Sequence, residues 1–446
     1  MQSIRTRFKD KAKAALFLGL ALALLLSACS ALQESGIHLP WDVKPTSADI
    51  STATIEATAV QPAADTQQTA TATPPNLQPS LTIWFPTGLD PKTDSKAAKL
   101  MLEKLENFAT EKGLQLQTRP KAAKGSGGLL DSLAAAYNAA PDAMPDLLIL
   151  DQDDLFLAAS KGYIMPLPME GFLRDDKDWF EAARSMTNFE GKPYGAPISL
   201  DPYVLGMTGV SVVDNNGGWP AIRTSLGKVG FAADDPRGLF FMNMYMAEGG
   251  NVQDALQHPV LDVDPLSRTM IYLHQAYMDR HISMISLQAQ TEAQILDALL
   301  NGNTDIGFIK LSQLLQSNQE KTNGKTLRLS LPGKTLAQGW FWAISTANPE
   351  KMKMMQALLL TLSEPSFMGT YTKGLGLLPA RPSALKEWKD LTTEVPWTRI
   401  GELSMPIPSE SIINRLGPIL RKATLDDLRE TADPGLITTR TMESIK

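Results

Sequence analysis

The chain has 446 residues, a net charge of −6, four histidines and a single cysteine. One cysteine excludes an intrachain disulfide, and the histidines have no cysteine partners or tight acidic clusters, which argues against zinc chemistry and histidine-based triads. The acidic balance disfavours nucleic acid and anionic membrane surfaces as partners. We therefore expect no metal, no cofactor and no nucleic-acid partner.

The amino terminus has the order of an export signal. A basic stretch that ends at Lys13 precedes an uncharged apolar run over residues 14–26, and small residues follow. The run has 13 residues, fewer than the roughly 20 that span a bilayer core. The Leu-Ser-Ala string before Cys29 resembles a bacterial lipobox, in which the thiol is acylated. The sequence predicts a lipoprotein signal peptide over residues 1–28 and lipidation of Cys29; an ordinary signal peptide cut nearby is the alternative.

A compositionally biased segment follows the cysteine. Residues 30–79 are rich in Ser, Thr, Ala, Gln and Pro, a composition that cannot build an apolar core. We predict a disordered tether over residues 29–79, and so a monomeric, extracytoplasmic protein of the cell envelope that is lipid-anchored to the membrane. Removal of residues 1–28, whose net charge is +4, leaves −10 on the mature chain.

From residue 81 onward the chain is predicted to be globular. This part has 366 residues, more than one core normally supports, so two lobes are expected. Its first elements alternate, with predicted strands at 81–85, 114–118 and 145–150 and predicted helices at 95–112 and 129–138. Such alternation is typical of an α/β fold. The glycines at 125–128 lack the lysine and hydroxyl ending of a phosphate loop, so nucleotide binding is not expected.

A second α/β series begins after an extended run at residues 203–207. The predicted elements are helices at 239–247, 266–279, 291–301 and 351–362, strands at 304–309 and 339–345, and further helices after residue 383. On the helix at 266–279, the spacing predicts that Met270, Ile271, Leu273 and Tyr277 face inward.

Three groups of residues stand in a distinctive order along this globular part: 145–149 with 155–167, then 191–197, then 339–345 with 362–365 and 376–381. They resemble extracellular solute-binding proteins of the carbohydrate, maltose-binding-like type, the receptors of ABC importers. The chain departs from the family at Met207 and Thr208, where relatives have Tyr-Asn. Residues 214–220 also replace the family's Pro-Thr-Trp segment, so the class of sugar is not implied.

The resemblance implies an α/β, two-lobed periplasmic-binding-protein-like fold of type II, hinge-linked and with a helical carboxyl-terminal segment. It implies an N-terminal lobe over residues 80–207 plus 338–379 and a C-terminal lobe over 208–337 plus 380–446. A small solute, expected to be a mono- or oligosaccharide, binds in the cleft, and the lobes close on it. The loaded form then docks on the transmembrane subunits of an ABC permease, without any enzymatic step.

Candidate ligand-binding residues follow from two rules. Open α/β sheets bind ligands beyond the carboxyl ends of their strands, and sugar sites combine aromatic platforms with carboxylates, amides and cations. The first rule selects residues at or after the ends of predicted strands: Trp84, Asp90, Asp151, Asp153, Lys310 and Ser312. The second adds aromatic residues on or near the crossing segments: Tyr203, Trp219 and Trp340. The resemblance adds Arg237, because relatives place polar ligand contacts there.

Several of these choices have alternatives. The acids at 151, 153 and 154 suit a hydroxyl-binding site and equally suit the positive end of a helix dipole. Trp340 and Trp342 face one side of their strand, and we expect Trp342 in the core and Trp340 in the cleft. Two other functions stay open: a tethered scaffold or sensor subunit with a degenerate cleft, and an exported polysaccharide hydrolase that uses a carboxylate pair.

Overall fold

The computed structural model describes residues 79–208, 227–320, 327–389 and 395–445. The predicted signal peptide and tether, with Cys29, lie outside the described residues, as does Trp219. Among the helices of the described ranges, none is both long and apolar enough to cross a membrane.

The strands are short except for two, β6 and β10. In chain order they are β1 (Ser80–Pro86), β2 (Gln115–Lys121), β3 (Leu147–Asp151), β4 (Asn188–Phe189), β5 (Lys192–Pro193), β6 (Ala196–Met207), β7 (Val229–Gly230), β8 (Ile306–Lys310), β9 (Arg328–Ser330), β10 (Thr335–Ile344), β11 (Leu378–Pro379) and β12 (Ser404–Pro406).

The α-helices lie between and after these strands. They are α1 (Lys96–Glu111), α2 (Leu129–Ala139), α3 (Gln152–Ser160), α4 (Glu170–Arg174), α5 (Glu181–Ser185), α6 (Leu239–Ala247), α7 (Val263–Met278), α8 (Glu292–Asn301), α9 (Leu311–Glu320), α10 (Pro349–Leu362), α11 (Pro365–Leu375), α12 (Trp397–Leu403), α13 (Glu410–Asp427) and α14 (Pro434–Glu443). The predicted α/β fold class and helical carboxyl-terminal segment are confirmed.

One mixed sheet runs through the described chain in the order β2-β1-β3-β10-β6-β8-β7. Strand β1 is parallel to β2 and β3, whereas β10 is antiparallel to both β3 and β6. All five residues of β3 and all twelve of β6 are buried. Both faces of these strands are therefore covered, and β3 shows the near-continuous apolar run expected of such a strand, whereas β6 also buries Ser199 and Asp201.

Strand β6 joins the two halves of the sheet. Its residues up to Pro202 pair with β10, and its residues from Tyr203 onward pair with β8. The extended crossing predicted at residues 203–207 is therefore the second half of one long strand. A strand shared in this way holds the two halves together by backbone hydrogen bonds.

Two buried apolar clusters fill the described chain. The first includes Ile83, Leu148 and Trp342, and the second includes Met270 and Leu416. The first cluster also includes side chains of α8 and α9. At these two helices, apolar packing therefore continues from one half of the molecule to the other. There, Gly376 ends α11 with a φ of 70° and lies against Leu315 of α9.

Most predicted elements are confirmed within about four residues, but several helices were missed, among them α9 and α11. Helix α9 begins directly after β8, without the capping residue or linker that marks most helix starts. Helix α11 follows α10 after a two-residue turn at Ser363. The inward orientation predicted for Ile271 is wrong: it is 41% exposed, because α7 packs through the face that carries Met270 and Leu273.

The lobe boundaries stay a prediction, and the packing of residues 382–389 and 395–403 suggests one revision. In this segment Ala384, Trp388 and Ile400 belong to the first cluster, and Trp388 Nε1 donates to the Gly369 carbonyl of α11 at 3.0 Å. We infer that the chain returns to the second half at β12, after residue 403, and not at Ala380.

Candidate functional site

A cleft of about 790 Å³ separates elements of the two clusters. One wall consists of α3 and the β4–β5 hairpin, and the other consists of the loop at 250–257 after α6 and the segment at 406–411 that leads into α13. Helix α3 packs into the first cluster through Leu155, whereas α13 packs into the second through Ile412. The two walls of the cleft therefore pack into different apolar clusters.

The lining of the cleft is polar and carries negative charge. Its acidic residues are Asp153, Asp154, Glu190 and Glu410, and its amides are Gln152, Asn188, Asn251, Gln253 and Gln257. Phe156 and Phe189 add aromatic surface, with ring centroids 5.9 Å apart. None of the residues that line this cleft is lysine or arginine. The lining thus offers many hydrogen-bond acceptors, several amide donors and no cationic side chain.

Asp153 connects the two walls. Its Oδ1 accepts a hydrogen bond from the backbone N–H of Glu410, the first residue of α13, at 3.1 Å. Burial raises the pKa of the Asp153 carboxyl, and the neighbouring charge of Asp151 raises it further. Of the predicted site residues in the described ranges, Asp153 is the one that lines the cleft.

The other two acids of this cluster are held by Lys124. The Nζ of Lys124 lies 2.9 Å from Asp151 Oδ2 and 2.6 Å from Asp154 Oδ1. Asp151 also caps α3, because its side chain accepts from the Asp154 N–H at 3.0 Å. Burial, reinforced by Asp151, raises the pKa of Asp154 to about 6 although Lys124 opposes the rise. Asp151 therefore caps the helix and Asp153 faces the cleft, while the hydroxyl-binding role of these acids stays a prediction.

Lys310 and Ser312 lie close together at the point where β6 changes its pairing from β10 to β8. Ser312 donates to Asp201 through its N–H at 2.9 Å and its hydroxyl at 2.7 Å. Lys310 Nζ donates to Gln338 Oε1 at 3.1 Å. Burial raises the pKa of Asp201, against the opposing charge of Lys310. The sequence analysis missed Asp201, although a carboxylate within an otherwise apolar stretch of strand was a usable signal.

Tyr203 is a core residue and does not line the cleft. It is 1% exposed, its ring stacks on Phe308 with centroids 4.7 Å apart, and its hydroxyl donates to Glu292 Oε1 at 2.6 Å. Burial and the charge of Glu292 raise the pKa of Tyr203 well above its usual range. The expected aromatic platform at this position is therefore corrected to a packing role in the second cluster.

Trp84 and Asp90 also lie apart from the cleft lining. Trp84 is 3% exposed within β1, and Lys121 Nζ lies 5.0 Å from its ring centroid. Asp90 ends the short 3-10 turn after β1 and accepts from the Lys92 N–H at 3.0 Å. Strands β1 and β3 are parallel, so the rule selects the same edge of the sheet at both, but only the segment after β3 lines the cleft.

Trp340 and Arg237 are more exposed than Tyr203 and Trp84. Trp340 pairs with Asp151 across β3 and with Ser199 across β6 next to a β-bulge, and its partly buried side chain packs against the first cluster. Arg237 is exposed in the turn before α6, where its carbonyl packs closely against Gly417 of α13. Neither lines the cleft.

Most of the lining was not predicted, including four of its polar residues. Glu190, Asn251, Gln257 and Glu410 come from three separate loops that only the tertiary fold brings together. Within the described part of the chain, no group of three or more His, Cys, Asp or Glu side chains is arranged to hold a metal ion.

Three solved structures resemble the fold over 82% of this chain and 97% of theirs. A cyclo/maltodextrin-binding protein complexed with maltotetraose has a TM-score of 0.64 at 15% identity. The maltose-binding periplasmic protein MalE from Listeria monocytogenes, in complex with maltose, has 0.63 at 14%. The cyclic α-maltosyl-1,6-maltose binding protein from Arthrobacter globiformis also has 0.63 at 14%. The likeness confirms the predicted two-lobed periplasmic-binding-protein-like fold.

The sequence itself was compared with families and with curated proteins. A search of curated protein sequences finds no match. Residues 52–394 match the family model of bacterial extracellular solute-binding proteins. This match covers well over half of the chain and bears out the resemblance seen in its motifs. The chain therefore belongs to the bacterial extracellular solute-binding protein family.

Proposed function

We propose that the chain is a lipid-anchored receptor that captures a small carbohydrate outside the cytoplasmic membrane and presents it to an ABC importer. The observation that carries this proposal is the polar cleft whose two walls pack into different apolar clusters, in a molecule whose halves share the strand β6. A ligand that contacts both walls stabilises the closed arrangement over the open one, and this difference drives closure.

The lining favours an uncharged ligand rich in hydroxyl groups. Carboxylates accept hydrogen bonds from hydroxyls, amides both donate and accept, and Phe156 and Phe189 offer apolar surface to a sugar ring. An anionic sugar would meet Asp153, Glu190 and Glu410 without a lysine or arginine in the lining, and the fourth lining carboxylate, Asp154, is already paired with Lys124. The class is therefore a neutral mono- or oligosaccharide, in keeping with the maltose and maltotetraose bound by two of the structural neighbours.

Calorimetry on the mature chain with Cys29→Ser tests this proposal. The probes are maltose, maltotetraose, mannotriose and tagatose, with glucuronate and glucose 6-phosphate as anionic comparisons. We expect saturable binding of at least one neutral sugar, binding of the anions at least ~10-fold weaker, and a smaller radius of gyration by X-ray scattering when the sugar is bound. If no neutral sugar binds and scattering does not change with any probe, the receptor proposal fails.

The proposal also assigns an anchor, a partner and an absence of turnover. Cys29 should incorporate labelled palmitate in cells, and Cys29→Ala should abolish the label. The loaded receptor should stimulate ATP hydrolysis by its permease in proteoliposomes more than the free receptor does. The bound sugar should be recovered unchanged after prolonged incubation, whereas an exported hydrolase would release shorter products.

One observation favours the alternative of a sensor or scaffold subunit. The hydrogen bond between Asp153 and Glu410 joins the two walls through the protein's own groups. If such bridges alone hold the lobes closed, the chain can bind a membrane partner independently of any sugar. A complex with a membrane protein that is equally strong with and without the probe sugars would favour this alternative.

A further inference from the structure

Three non-glycine residues in the described chain have positive φ angles. They are Glu190 at 51°, Gln257 at 63° and Arg280 at 63°. Side chains other than Gly, Asn and Asp adopt this left-handed region rarely, because Cβ approaches the backbone too closely. A long side chain at such a position therefore destabilises the fold relative to asparagine or glycine.

Glu190 stands in a turn that favours other residues. Glu190 and Gly191 form the two-residue connection between β4 and β5, and both have positive φ, at 51° and 80°. Hairpins with this geometry strongly prefer Asn-Gly or Asp-Gly, whose first residue tolerates the left-handed region. Glutamate has a longer side chain than asparagine or aspartate, and it destabilises the left-handed backbone conformation of this turn.

Gln257 stands in a comparable position on the opposite wall. Its N–H donates to the Asp254 carbonyl at 3.0 Å, and the Asp254 N–H donates to the His258 carbonyl at 2.9 Å. This is a tight turn that ends at a residue with a left-handed backbone conformation. The residue at such a position is usually Gly or Asn. Glutamine is again the longer and less suitable choice for the backbone.

Arg280 provides a contrast, because it has the same strain and does not line the cleft. It follows α7, and the His281 N–H beyond it donates to the Ala276 carbonyl at 2.9 Å. A left-handed residue just beyond a helix end is a common way to terminate the helix. All three residues thus have positive φ in a local turn or helix end, but only Glu190 and Gln257 also line the cleft, one on each wall.

We propose that Glu190 and Gln257 are specificity-determining residues that contact one ligand from opposite walls of the cleft. The Glu190 carboxylate accepts hydrogen bonds from ligand hydroxyls, and the Gln257 amide both donates and accepts. Strained residues cluster at binding sites where the strain serves function. This inference rests on the proposed receptor function and identifies residues that decide which sugar is held.

The test compares Glu190→Asn, Gln257→Asn and Arg280→Asn in the mature chain with Cys29→Ser. The probe is whichever of maltose, maltotetraose, mannotriose and tagatose binds the parent chain most tightly. Asparagine relieves the strain in all three variants, so each melting temperature should rise by about 1–2 °C. Affinity should fall on the order of 10-fold in the first two variants only, since each loses one polar contact. Glu190→Gln, which keeps length and strain, should lose affinity without gaining stability.

The outcomes separate this inference from the receptor proposal. If a probe binds and the Glu190 and Gln257 variants bind it as tightly as the parent, the two residues are only turn residues and this inference falls alone. If the Arg280 variant loses affinity equally, the effect is not specific to the cleft and the inference also falls. If no probe binds the parent chain, the receptor proposal and this inference fall together.

Discussion

Asp153 of α3 and Glu410 of α13 lie on opposite walls of the cleft and are joined by a 3.1 Å hydrogen bond from the Glu410 N–H to Asp153 Oδ1. The acceptor is a carboxylate and the donor is the first backbone N–H of a helix, where the helix dipole favours negative charge. This contact couples the relative position of the walls to the charge state of one side chain.

The first prediction concerns this bridge. Asp153→Ala should let the unliganded lobes separate further, which small-angle scattering would detect as a larger radius of gyration. Because the pKa of Asp153 is raised by burial, the carboxylate is lost at a higher pH than an ordinary aspartate, and mild acid should expand the parent chain in the same direction. Glu410→Gln keeps the backbone donor and serves as the control. An unchanged radius in Asp153→Ala would show that the bridge does not hold the walls.

The second prediction concerns Lys124, which neutralises Asp151 and Asp154. Lys124→Met should lower the free energy of unfolding by about 1–2 kcal/mol at pH 7.5, a discounted value because the lysine is half-exposed. The pKa of Asp154 is about 6 in the folded chain, so protonation below that pH removes part of the repulsion. The loss measured by urea unfolding should therefore be smaller at pH 5. Lys99→Met, which breaks an exposed pair with Asp94, should have no measurable effect, and an equal loss at both pH values would contradict the assignment.

The third prediction separates a core role from a binding role at Tyr203. Tyr203→Phe keeps the stack on Phe308 but leaves Glu292 without its donor, which should cost about 1 kcal/mol of stability. Affinity for a probe sugar should not change. Tyr137→Phe, at a position that is 45% exposed, should change neither. If Tyr203→Phe lost affinity while its stability stayed unchanged, Tyr203 would be a ligand contact and its core assignment would be wrong.

Much of the fold was predictable because its elements carry strong local signals. Strand β3 is an unbroken apolar run, and α8 starts at Thr291, whose side chain forms a capping box with Gln294. Helix α9 was missed because Lys310 ends a strand and Leu311 starts a helix with no residue between them. Where a strand leads directly into a helix, no turn residue separates the two hydrophobic periodicities, so the sequence does not indicate where the helix begins.

The site was predictable only where local chain order decides it. Asp153 lies two residues after the end of β3, so the rule for the ends of strands selects it. Glu190, Gln257 and Glu410 meet only through the packing of distant segments, and no local pattern relates them. Tyr203 was assigned to the cleft because it is an aromatic near a crossing, but the register with β8 turns its ring onto Phe308.

The last prediction concerns Asp427, at the end of α13. Asp427 is fully buried, neither carboxylate oxygen has a hydrogen-bond partner within the described residues, and His274 Nδ1 lies 4.0 Å from Oδ1. Burial raises its pKa to about 8, above the value near 4 in an unfolded chain. The folded state therefore holds a proton that the unfolded state has lost between about pH 4 and pH 8, so this group's contribution to stability falls as pH rises through that window.

Urea unfolding of the parent and Asp427→Asn between pH 5 and pH 8 measures this contribution. The parent should lose up to about 1.4 kcal/mol per pH unit relative to the variant, since one proton is involved. The two should be closest at pH 5, where the parent carboxyl is neutral like the amide. Asp426→Asn, whose side chain pairs with Lys422 at the surface, should keep the parental slope. Parallel curves for the parent and Asp427→Asn would mean that this carboxyl finds a partner in solution and is ionised throughout the range.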